Sequence, residues 1–370
     1  MKSKVSFMLI LILILVSVGA CSIKKDPIKI GFTSGLTGFL ADEGVSARNG
    51  FILAIEEMNG NGGLNGRLFE PVVKDDESTP EVGMKIEKAF KEEGVEYIVG
   101  HLLSSMFVSV EHGMSEYDLV YVSPTMATNI MTARDDNFFR VIGDTSVMAE
   151  SIGNMVMRSE VNKLMIIFDQ GNLGFSGTVK DVLSDTLKQQ SDISIHISPY
   201  NDGDDFAKFA DDMKKHEVDG VVMVTSSVAT ANILQQMAIE EIDIPRFTST
   251  WALSSELVYK GGKATEGLYG VGFYDKDSQS EAFINFNKNY LDRFSEEPSH
   301  TSYFAYEATM LYMDAFKKAE SFDKHKVLKA LKETGNYKGL SDTYTINGFG
   351  DAERPYVELQ IINGEMKRVE

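Results

Sequence analysis

Two hydrophobic patterns alternate along this chain. Short runs of apolar, often β-branched residues predict buried strands, and longer segments with apolar residues every three or four positions predict helices. The predicted strands are 28–34, 68–74, 95–99, 119–123, 163–168, 193–197, 218–224, 246–250, 268–273 and 356–362. The predicted helices lie near 44–59, 80–93, 104–116, 174–189, 204–216, 227–240, 279–294, 302–319 and 324–334. Strands that are apolar on both faces and alternate with helices predict an α/β fold with parallel sheets covered on both sides.

The length of the chain favours two such sheets. About 350 residues follow position 20, which is more than one hydrophobic core usually covers. The pattern also changes after residue 275, where two long helices follow one another before strand-like segments return. We therefore predict two doubly wound lobes that share architecture without a residue-level repeat.

The amino terminus predicts export. Lys2 and Lys4 precede 16 uncharged residues, Val5 to Ala20, which are too few for a membrane-spanning helix of about 20 residues. The chain's one cysteine, Cys21, follows at once, and VGAC resembles the lipobox of bacterial lipoproteins. We predict a signal peptide at 1–20, lipid on Cys21 and a polar tether at 21–27, on the extracytoplasmic side of a membrane. An ordinary buried thiol is the alternative.

Charge and motif content exclude several function classes. The net charge is −19, and removal of Lys2 and Lys4 with the signal peptide makes it −21, a surface that repels nucleic acid. The six histidines lack paired metal spacing, and HExxH and CxxC do not occur. LGFSGT at 173–178 is not a nucleophile elbow. We therefore predict a protein that is not an enzyme and needs no metal or cofactor.

The glycine-rich loop GNGGLNG at 60–66 lacks the spacing of a nucleotide-binding loop. It follows a helix and precedes a strand, the reverse of the order that cradles phosphate. We predict a helix end and turn in which glycines adopt positive φ.

Residues 30–67 carry a composite motif. A strand leads into the SGLTG turn, then A-x-x-G, and the segment closes on E-x-x-N-x-x-GG-x-x-G-R. It resembles the amino-acid-binding family of type I periplasmic binding proteins, typified by the branched-chain amino-acid receptors of ABC importers. The likeness continues through 74–90, 94–105, 121–128 and 137–146, and more weakly through 302–316.

The resemblance implies a three-segment hinge between the two lobes. The crossings are expected near Gly143, near 271–275 and near 346–350. The implied first lobe combines 28–142 with 275–345, and the implied second lobe combines 143–274 with 346–370.

Two adjacent serines follow the predicted strand 95–99. Ser104 and Ser105 stand on the first turn of a helix, where free N–H groups and the helix dipole favour an anion, although serine is also a common helix cap. By resemblance, Ser104 donates its hydroxyl to a ligand carboxylate, with Ser105 in support. Thr125 and Ala127 match positions that hold the carboxylate and amine. Because Ala127 lacks the family's hydroxyl, Thr125 or Thr128 is expected to replace it.

The chain departs from the branched-chain receptors at the position that binds the ligand amine. The family's acidic residue there is replaced by Trp251, which could instead contact the apolar body of a ligand or belong to the core. Either another carboxylate binds the amine, or the ligand has none. The remaining candidates are Glu43 where the family has an aromatic residue, Asp169 after the strand 163–168, Leu173 and Ser226 where it has tyrosines, and Tyr303 at a helix start.

The resemblance implies an extracytoplasmic solute receptor. It would bind a small carboxylate, an aliphatic or aromatic amino acid rather than a simple acid or amide, by hinge closure, and deliver it to a membrane permease. Because no P-loop occurs in the chain, a separate ATPase subunit must supply the energy. The alternatives are a sensor of the same fold, an exported enzyme and a structural surface lipoprotein.

Overall fold

The computed structural model describes residues 25–38, 40–272, 278–354 and 356–369. The predicted signal peptide, Cys21 and the start of the tether lie outside these ranges. Within them, no helix combines the length and the apolar character that crossing a membrane requires.

Strands and helices alternate through most of the described chain. The strands are β1 (Ile28–Ser34), β2 (Phe69–Asp75), β3 (Tyr97–Val99), β4 (Val120–Ser123), β5 (Phe138–Arg140), β6 (Lys163–Asp169), β7 (Ser194–Tyr200), β8 (Gly220–Val224), β9 (Arg246–Thr248), β10 (Tyr269–Gly272), β11 (Gly335–Lys338), β12 (Thr343–Ile346), β13 (Ala352–Glu353), β14 (Val357–Ile362) and β15 (Glu365–Arg368). The helices are α1 (Ala41–Gly60), α2 (Pro80–Glu92), α3 (Phe107–Tyr117), α4 (Thr145–Arg158), α5 (Ser176–Gln190), α6 (Ala207–Lys215), α7 (Ser227–Ile239), α8 (Ser255–Gly261), α9 (Glu281–Phe294), α10 (His300–Ala319) and α11 (Lys324–Lys332).

Two sheets form the cores, as the hydrophobic pattern predicts. The first has the order β2-β1-β3-β4-β5 and is parallel throughout. The second has the order β15-β14-β10-β9-β8-β6-β7. It is parallel except at one edge, where β14 and β15 run antiparallel. The predicted α/β class with doubly wound sheets is confirmed.

Helices cover both faces of each sheet because the central strands are buried on both sides. In β6, the residues Leu164 to Ile167 are fully buried. Their side chains alternate between two clusters, so that Ile166 packs in one apolar core and Met165 in another. A strand of this kind has no solvated face, which explains its continuous apolar sequence.

We name the two halves by their sheets. Lobe A consists of β1–β5 with α1–α3 and with α9–α11, which pack on it through the contacts of α10 with α1. Lobe B consists of β6–β10, β14 and β15 with α4–α8. The chain passes between them at 141–144 and after β13, and the crossing expected near 271–275 falls largely on residues outside the described ranges.

A small antiparallel sheet, β11-β12-β13, was not part of the sequence-based prediction. Residues 346–350, where the resemblance places the third crossing, form the turn between β12 and β13, because Ile346 pairs with Ala352. The chain reaches the second sheet only at β14.

The order of strands creates a switch point in each sheet. In the first sheet, β1 is followed by β2 on one side and by β3 on the other. Loops after β1 and β3 therefore diverge and leave a crevice at the carboxyl ends of the strands, where open α/β sheets bind ligands. In the second sheet the same divergence occurs between β6 and β8.

The loop 60–66 forms the predicted turn between α1 and β2. Gly62, Gly63 and Gly66 have φ of 86°, 68° and 75°, which residues with a Cβ rarely adopt. Gly63 also lies against the carbonyl of Arg67, where a Cβ would be 2.0 Å from the oxygen. These glycines therefore serve backbone geometry.

Candidate functional site

One cavity lies where the carboxyl ends of strands from both lobes face each other. It spans roughly 470 Å³ of space not filled by atoms, open solvent included, beside the switch point of the first sheet and opposite the ends of β6 and β9. Its walls are Glu43, Leu102, Leu103, Ser104, Thr125, Ile142, Asn172, Phe175, Thr250, Trp251, His300, Thr301 and Phe304.

Ser104 forms part of the polar end of this cavity. It is 1% exposed and begins a 3₁₀ turn, Ser104–Met106, that leads into α3. Its Oγ accepts a hydrogen bond of 3.1 Å from the N–H of Ala127, so its own hydrogen remains to be donated. Ala127 itself is buried and contributes this N–H from the loop after β4. This hydrogen bond links the loops that follow β3 and β4 and leaves the Ser104 hydroxyl as a donor toward the cavity.

Thr125 faces the same cavity with a different hydrogen-bonding capacity. Its Oγ1 donates to the carbonyl of Leu102 over 2.9 Å, so its oxygen lone pairs face outward as acceptors. Thr128, the other expected replacement for the missing hydroxyl, is fully buried, and its Oγ1 caps the turn Asn129–Met131 by accepting from Ile130 N–H. It does not line the cavity.

The two lobes touch beside Ser104. The N–H of Ser105 donates to Oδ1 of Asn172 over 3.1 Å, which leaves the amide nitrogen of Asn172 as a donor from lobe B. Gly174 lies against the same turn, so closely that a Cβ there would be 2.6 Å from the carbonyl oxygen of Ser104. The structure is therefore closed at this end of the cleft.

Aromatic and aliphatic side chains form much of the remaining wall. Trp251, after β9, is 7% exposed and packs edge-to-face on Phe175 with ring centroids 5.8 Å apart. Phe304 and Ile142 line the cavity from lobe A and from the first crossing segment. A ligand with an apolar body would bury that body here.

Glu43 lies in the first turn of α1 and lines the cavity at a second polar position. Burial, reinforced by the charges of Glu256 and Asp42, raises the pKa of its carboxyl to about 8, although the indole N–H of Trp251 opposes this shift. His300, at the start of α10, is also buried, and burial lowers its pKa to about 4. Both groups are therefore mainly uncharged at neutral pH.

Glu43 and His300 also border an open outer chamber next to the cavity. This chamber is lined by Asp42, Glu43, Ser46, Ser227, Ser254, Ser255, Glu256, Tyr259, Lys260, Ser299 and His300. The cavity is thus accessible to solvent on the side of Glu43.

Four further predicted residues do not line the cavity. Asp169 caps the turn after β6, with its Oδ1 2.6 Å from Gly171 N–H, and Ser226 caps α7. Leu173 is 51% exposed. Tyr303 is buried below the site, where its hydroxyl bonds to Ser341 and Arg354.

Several cavity residues were not predicted from the sequence. His300, Thr301 and Phe304 come from α10, and Asn172 and Phe175 come from the turn after β6. The strand-end rule could have found Asn172, since it follows β6. The α10 residues carry no local signal, because their position depends on how α10 packs against α1.

A buried histidine supports the loop that carries Leu102. His101 is fully buried and its Nδ1 lies 2.5 Å from Oδ2 of Asp76, while its Nε2 lies 2.8 Å from Oε1 of Glu87. Burial disfavours the charged imidazole, but hydrogen bonds and charges from Asp76 and Glu87 outweigh this and raise the pKa of His101 to about 9. The carbonyl of His101 accepts from Ser123 Oγ over 2.7 Å.

This arrangement predicts a loss of stability in base. Since the pKa of His101 is higher in the folded protein than its usual value of about 6.5, its stabilising effect is complete below that value and is lost as pH rises through about 9. Between about pH 6 and about pH 10, we expect His101 to account for a few kcal/mol of unfolding free energy. Urea unfolding at both pH values should show this loss in the wild type and in the exposed-site control His325→Gln. An equal loss in His101→Gln would contradict the assignment.

Comparison with known proteins gives a match along nearly the whole chain. A family model described as periplasmic binding protein matches residues 27–365. Leu/Ile/Val-binding protein homolog 1 of Brucella abortus (strain 2308) is 25% identical over 333 residues, which cover 88% of each chain. The matched relatives are solute-binding proteins rather than enzymes, in agreement with the sequence-based prediction.

Solved structures match the fold. The branched-chain amino acid transporter substrate-binding protein LivJ of Streptococcus pneumoniae str. Canada MDR_19A, in complex with isoleucine, superposes with a TM-score of 0.83 at 20% identity, covering 93% of this chain and 99% of that one. A solute-binding protein of an ABC transporter from R. palustris, in complex with benzoate, gives a TM-score of 0.83 at 16% identity, covering 93% and 95%.

Proposed function

This chain belongs to the periplasmic binding protein family, and on that premise we propose that it is the solute-binding lipoprotein of an ABC importer. Its ligand is a small carboxylate with an apolar body. Cys21 carries the lipid that holds the protein on the extracytoplasmic side of the membrane, and residues 22–27 act as the tether.

The observation that carries this proposal is the make-up of the cavity. At one end, the hydroxyl of Ser104 and the amide nitrogen of Asn172 are donors from opposite lobes. Between this end and Glu43, the wall is apolar and includes Phe175 and Trp251. Donors that converge at the start of a helix suit a carboxylate, and the apolar wall suits the rest of a small molecule.

Binding is coupled to hinge closure. The ligand carboxylate first binds lobe A at Ser104 and the loop of Thr125, and lobe B then closes over it with Asn172 and Trp251. The proposed lobes are 28–142 with 275–345, and 143–274 with the part of 346–370 that begins at β14. Ligand that contacts both lobes stabilises the closed form, which is the form presented to the membrane.

The closed form would deliver its solute to a permease driven by a separate ATPase subunit. A sensor that presents the same closed form to a receptor kinase is the alternative. Permease and ATPase genes beside this gene would favour transport.

Ser104→Ala should weaken binding of the tightest carboxylate ligand by at least about tenfold, since a hydrogen bond to a charged group contributes about 1.5–3 kcal/mol. The ligand is first identified with a thermal-shift panel of amino acids and simple carboxylates. A ligand at about 100 times its Kd stabilises the protein by about 2.7 kcal/mol. Affinities are then measured by isothermal titration calorimetry.

Ser105→Ala is the matched control, because Ser105 contributes a backbone N–H to the lobe contact and keeps it in the variant. We expect its affinity to stay within about threefold of wild type. Equal affinities for wild type and Ser104→Ala would refute the carboxylate site.

Two ligand classes fit the carboxylate end of the cavity. The two solved relatives bind isoleucine and benzoate, which are both small carboxylates with an apolar body but differ in having an amine. Because Trp251 stands where the branched-chain receptors carry an acidic residue, the amine of an amino acid would need another acceptor in this cavity, and a simple acid is the alternative ligand.

A further inference from the structure

We infer that Glu43, Trp251 and His300 form the binding site for a protonated amine of the ligand, so that the solute is an amino acid. This inference rests on the proposed carboxylate-binding function. It places the acid that binds the amine on α1 of lobe A, and not after β9 of lobe B, where the resemblance expects it.

Two buried polar atoms in this part of the cavity lack a close hydrogen-bond partner. Nδ1 of His300 makes no hydrogen bond among the described residues, and Nε1 of Trp251 makes no close one, although its N–H is near enough to Glu43 to affect the pKa of that carboxyl; each side chain is only 7% exposed. Buried polar groups of native proteins are usually paired, and an unpaired one costs free energy. Both residues line the same cavity as Glu43. A ligand donor in this part of the cavity would supply the missing partner of His300, whereas the indole N–H of Trp251 is itself a donor and can pair with the carboxylate of Glu43.

The hydrogen-bonding capacities match a primary ammonium group. His300 is uncharged, and in its Nε2–H tautomer Nδ1 is an acceptor. The Oγ1 of Thr125 has given its hydrogen to Leu102 and is a second acceptor. The carboxylate of Glu43 is the third, and the nearby indole N–H of Trp251 can donate to it. An ammonium group has three N–H donors and needs three such acceptors.

The charges around Glu43 favour a cation over a neutral group. Asp42 on the same helix and Glu256 on α8 both raise its pKa by repulsion. Lys260 also borders the outer chamber, but it lies 3.6 Å from Glu256 in an ion pair. Asp76, which shares a smaller cavity with Glu43, is bound by His101. No Lys or Arg stands among the described residues of the main cavity, so a ligand ammonium would be the cation that stabilises the ionised form of Glu43.

Binding of an ammonium should therefore release a proton. Glu43 is mainly protonated below about pH 8 in the free protein, and a cation beside it lowers its pKa. The affinity for an amino acid should then rise with pH, by up to about tenfold per unit, until it levels off near pH 8. A ligand that instead offered a neutral acceptor to the protonated carboxyl of Glu43 would show the opposite trend, and its affinity would fall above about pH 8.

The test uses matched pairs of probes that differ only in the α-amino group. They are leucine and 4-methylpentanoate, valine and 3-methylbutanoate, phenylalanine and 3-phenylpropanoate, and alanine and propanoate. Calorimetry at about pH 7 in two buffers of different ionisation enthalpy gives the affinity and the number of protons released. We expect the tightest amino acid to bind at least about 100-fold better than its partner and to release about one proton.

Glu43→Gln isolates the role of the carboxylate. It should lower the affinity for that amino acid by about 100-fold at pH 8, abolish proton release, and leave binding of the partner acid nearly unchanged. Glu56→Gln is the control, since Glu56 lies on the same helix as Glu43 but is exposed and pairs with Arg293. It should behave as wild type.

The outcomes separate the two proposals. If a simple acid binds as tightly as its amino acid, without proton release and without an effect of Glu43→Gln, the amine site is refuted while the carboxylate receptor stands. If none of the eight carboxylates binds, the proposed function fails and the amine site fails with it.

Discussion

Replacement of Arg354 by methionine should lower the free energy of unfolding by about 3–5 kcal/mol, because breaking a buried ion pair leaves uncompensated charges. The Arg354 side chain is 0% exposed. Its guanidinium forms ion pairs with Glu307 at 2.8 Å and with Asp342 at 2.6 Å. It also donates to the carbonyl of Val141 over 3.0 Å. Methionine preserves much of the volume but leaves both carboxylates without their partner.

The control is Arg293→Met, which breaks an ion pair with Glu56 in which both side chains are about half exposed. We expect it to change stability by at most about 1 kcal/mol. Chemical denaturation of the two variants and the wild type measures the difference. A similarly small loss of unfolding free energy in both variants would contradict the prediction that the buried ion pairs of Arg354 stabilise the fold.

Arg354 also lies beside two of the segments that we propose as the hinge. It stands where the chain leaves the small sheet for lobe B, and Val141 begins the first crossing between the lobes. Its guanidinium lies 5.1 Å from the ring of Phe304, which lines the cavity.

Gly174→Val should weaken ligand binding by on the order of 100-fold, because it destabilises the closed form and leaves the open form unchanged. Even a Cβ at this position would lie 2.6 Å from the carbonyl oxygen of Ser104 across the lobe contact, and the backbone there does not need positive φ. Forced overpacking of this kind costs about 1–3 kcal/mol or more. Because the clash exists only when the lobes meet, the unfolding of the unliganded protein should change much less than the affinity.

Gly177→Ala is a matched control on the same segment, since its Cβ would lie 3.5 Å from a side-chain atom of Leu173, an ordinary contact. Calorimetry gives the affinities, and small-angle X-ray scattering with saturating ligand reports whether the lobes close. Wild-type affinity and compaction in Gly174→Val would contradict the assignment of this contact to the closed form.

Hydrophobic patterning predicted most of the fold because its strands are buried on both faces. The run Leu164 to Ile167 has no polar residue and could be assigned to a central strand without tertiary information. The small sheet β11-β12-β13 was missed because its strands have two to four residues and mixed polarity, so they carry too little periodicity. Its pairing depends on contacts with the crossing segments, such as Arg140 N–H with the carbonyl of Gly350 at 3.0 Å.

The site was predictable where it follows from strand ends. Ser104, Thr125 and Trp251 all lie within five residues after the end of a parallel strand, and the structure brings them to one cavity. Asp169 and Ser226 satisfy the same rule but cap local turns and helices, because serine and aspartate serve both purposes. The contribution of α10, with His300, depends on packing between segments more than 200 residues apart, as in the bond from Thr301 to the Glu43 carbonyl.

The most direct measurement is a crystal structure of the protein grown with its tightest-binding amino acid. We expect the ligand carboxylate within hydrogen-bonding distance of Ser104 Oγ, about 2.7 Å, and the ammonium beside Glu43 and His300, with the lobes closed. A ligand seated in the reverse orientation, or bound outside this cavity, would contradict the account.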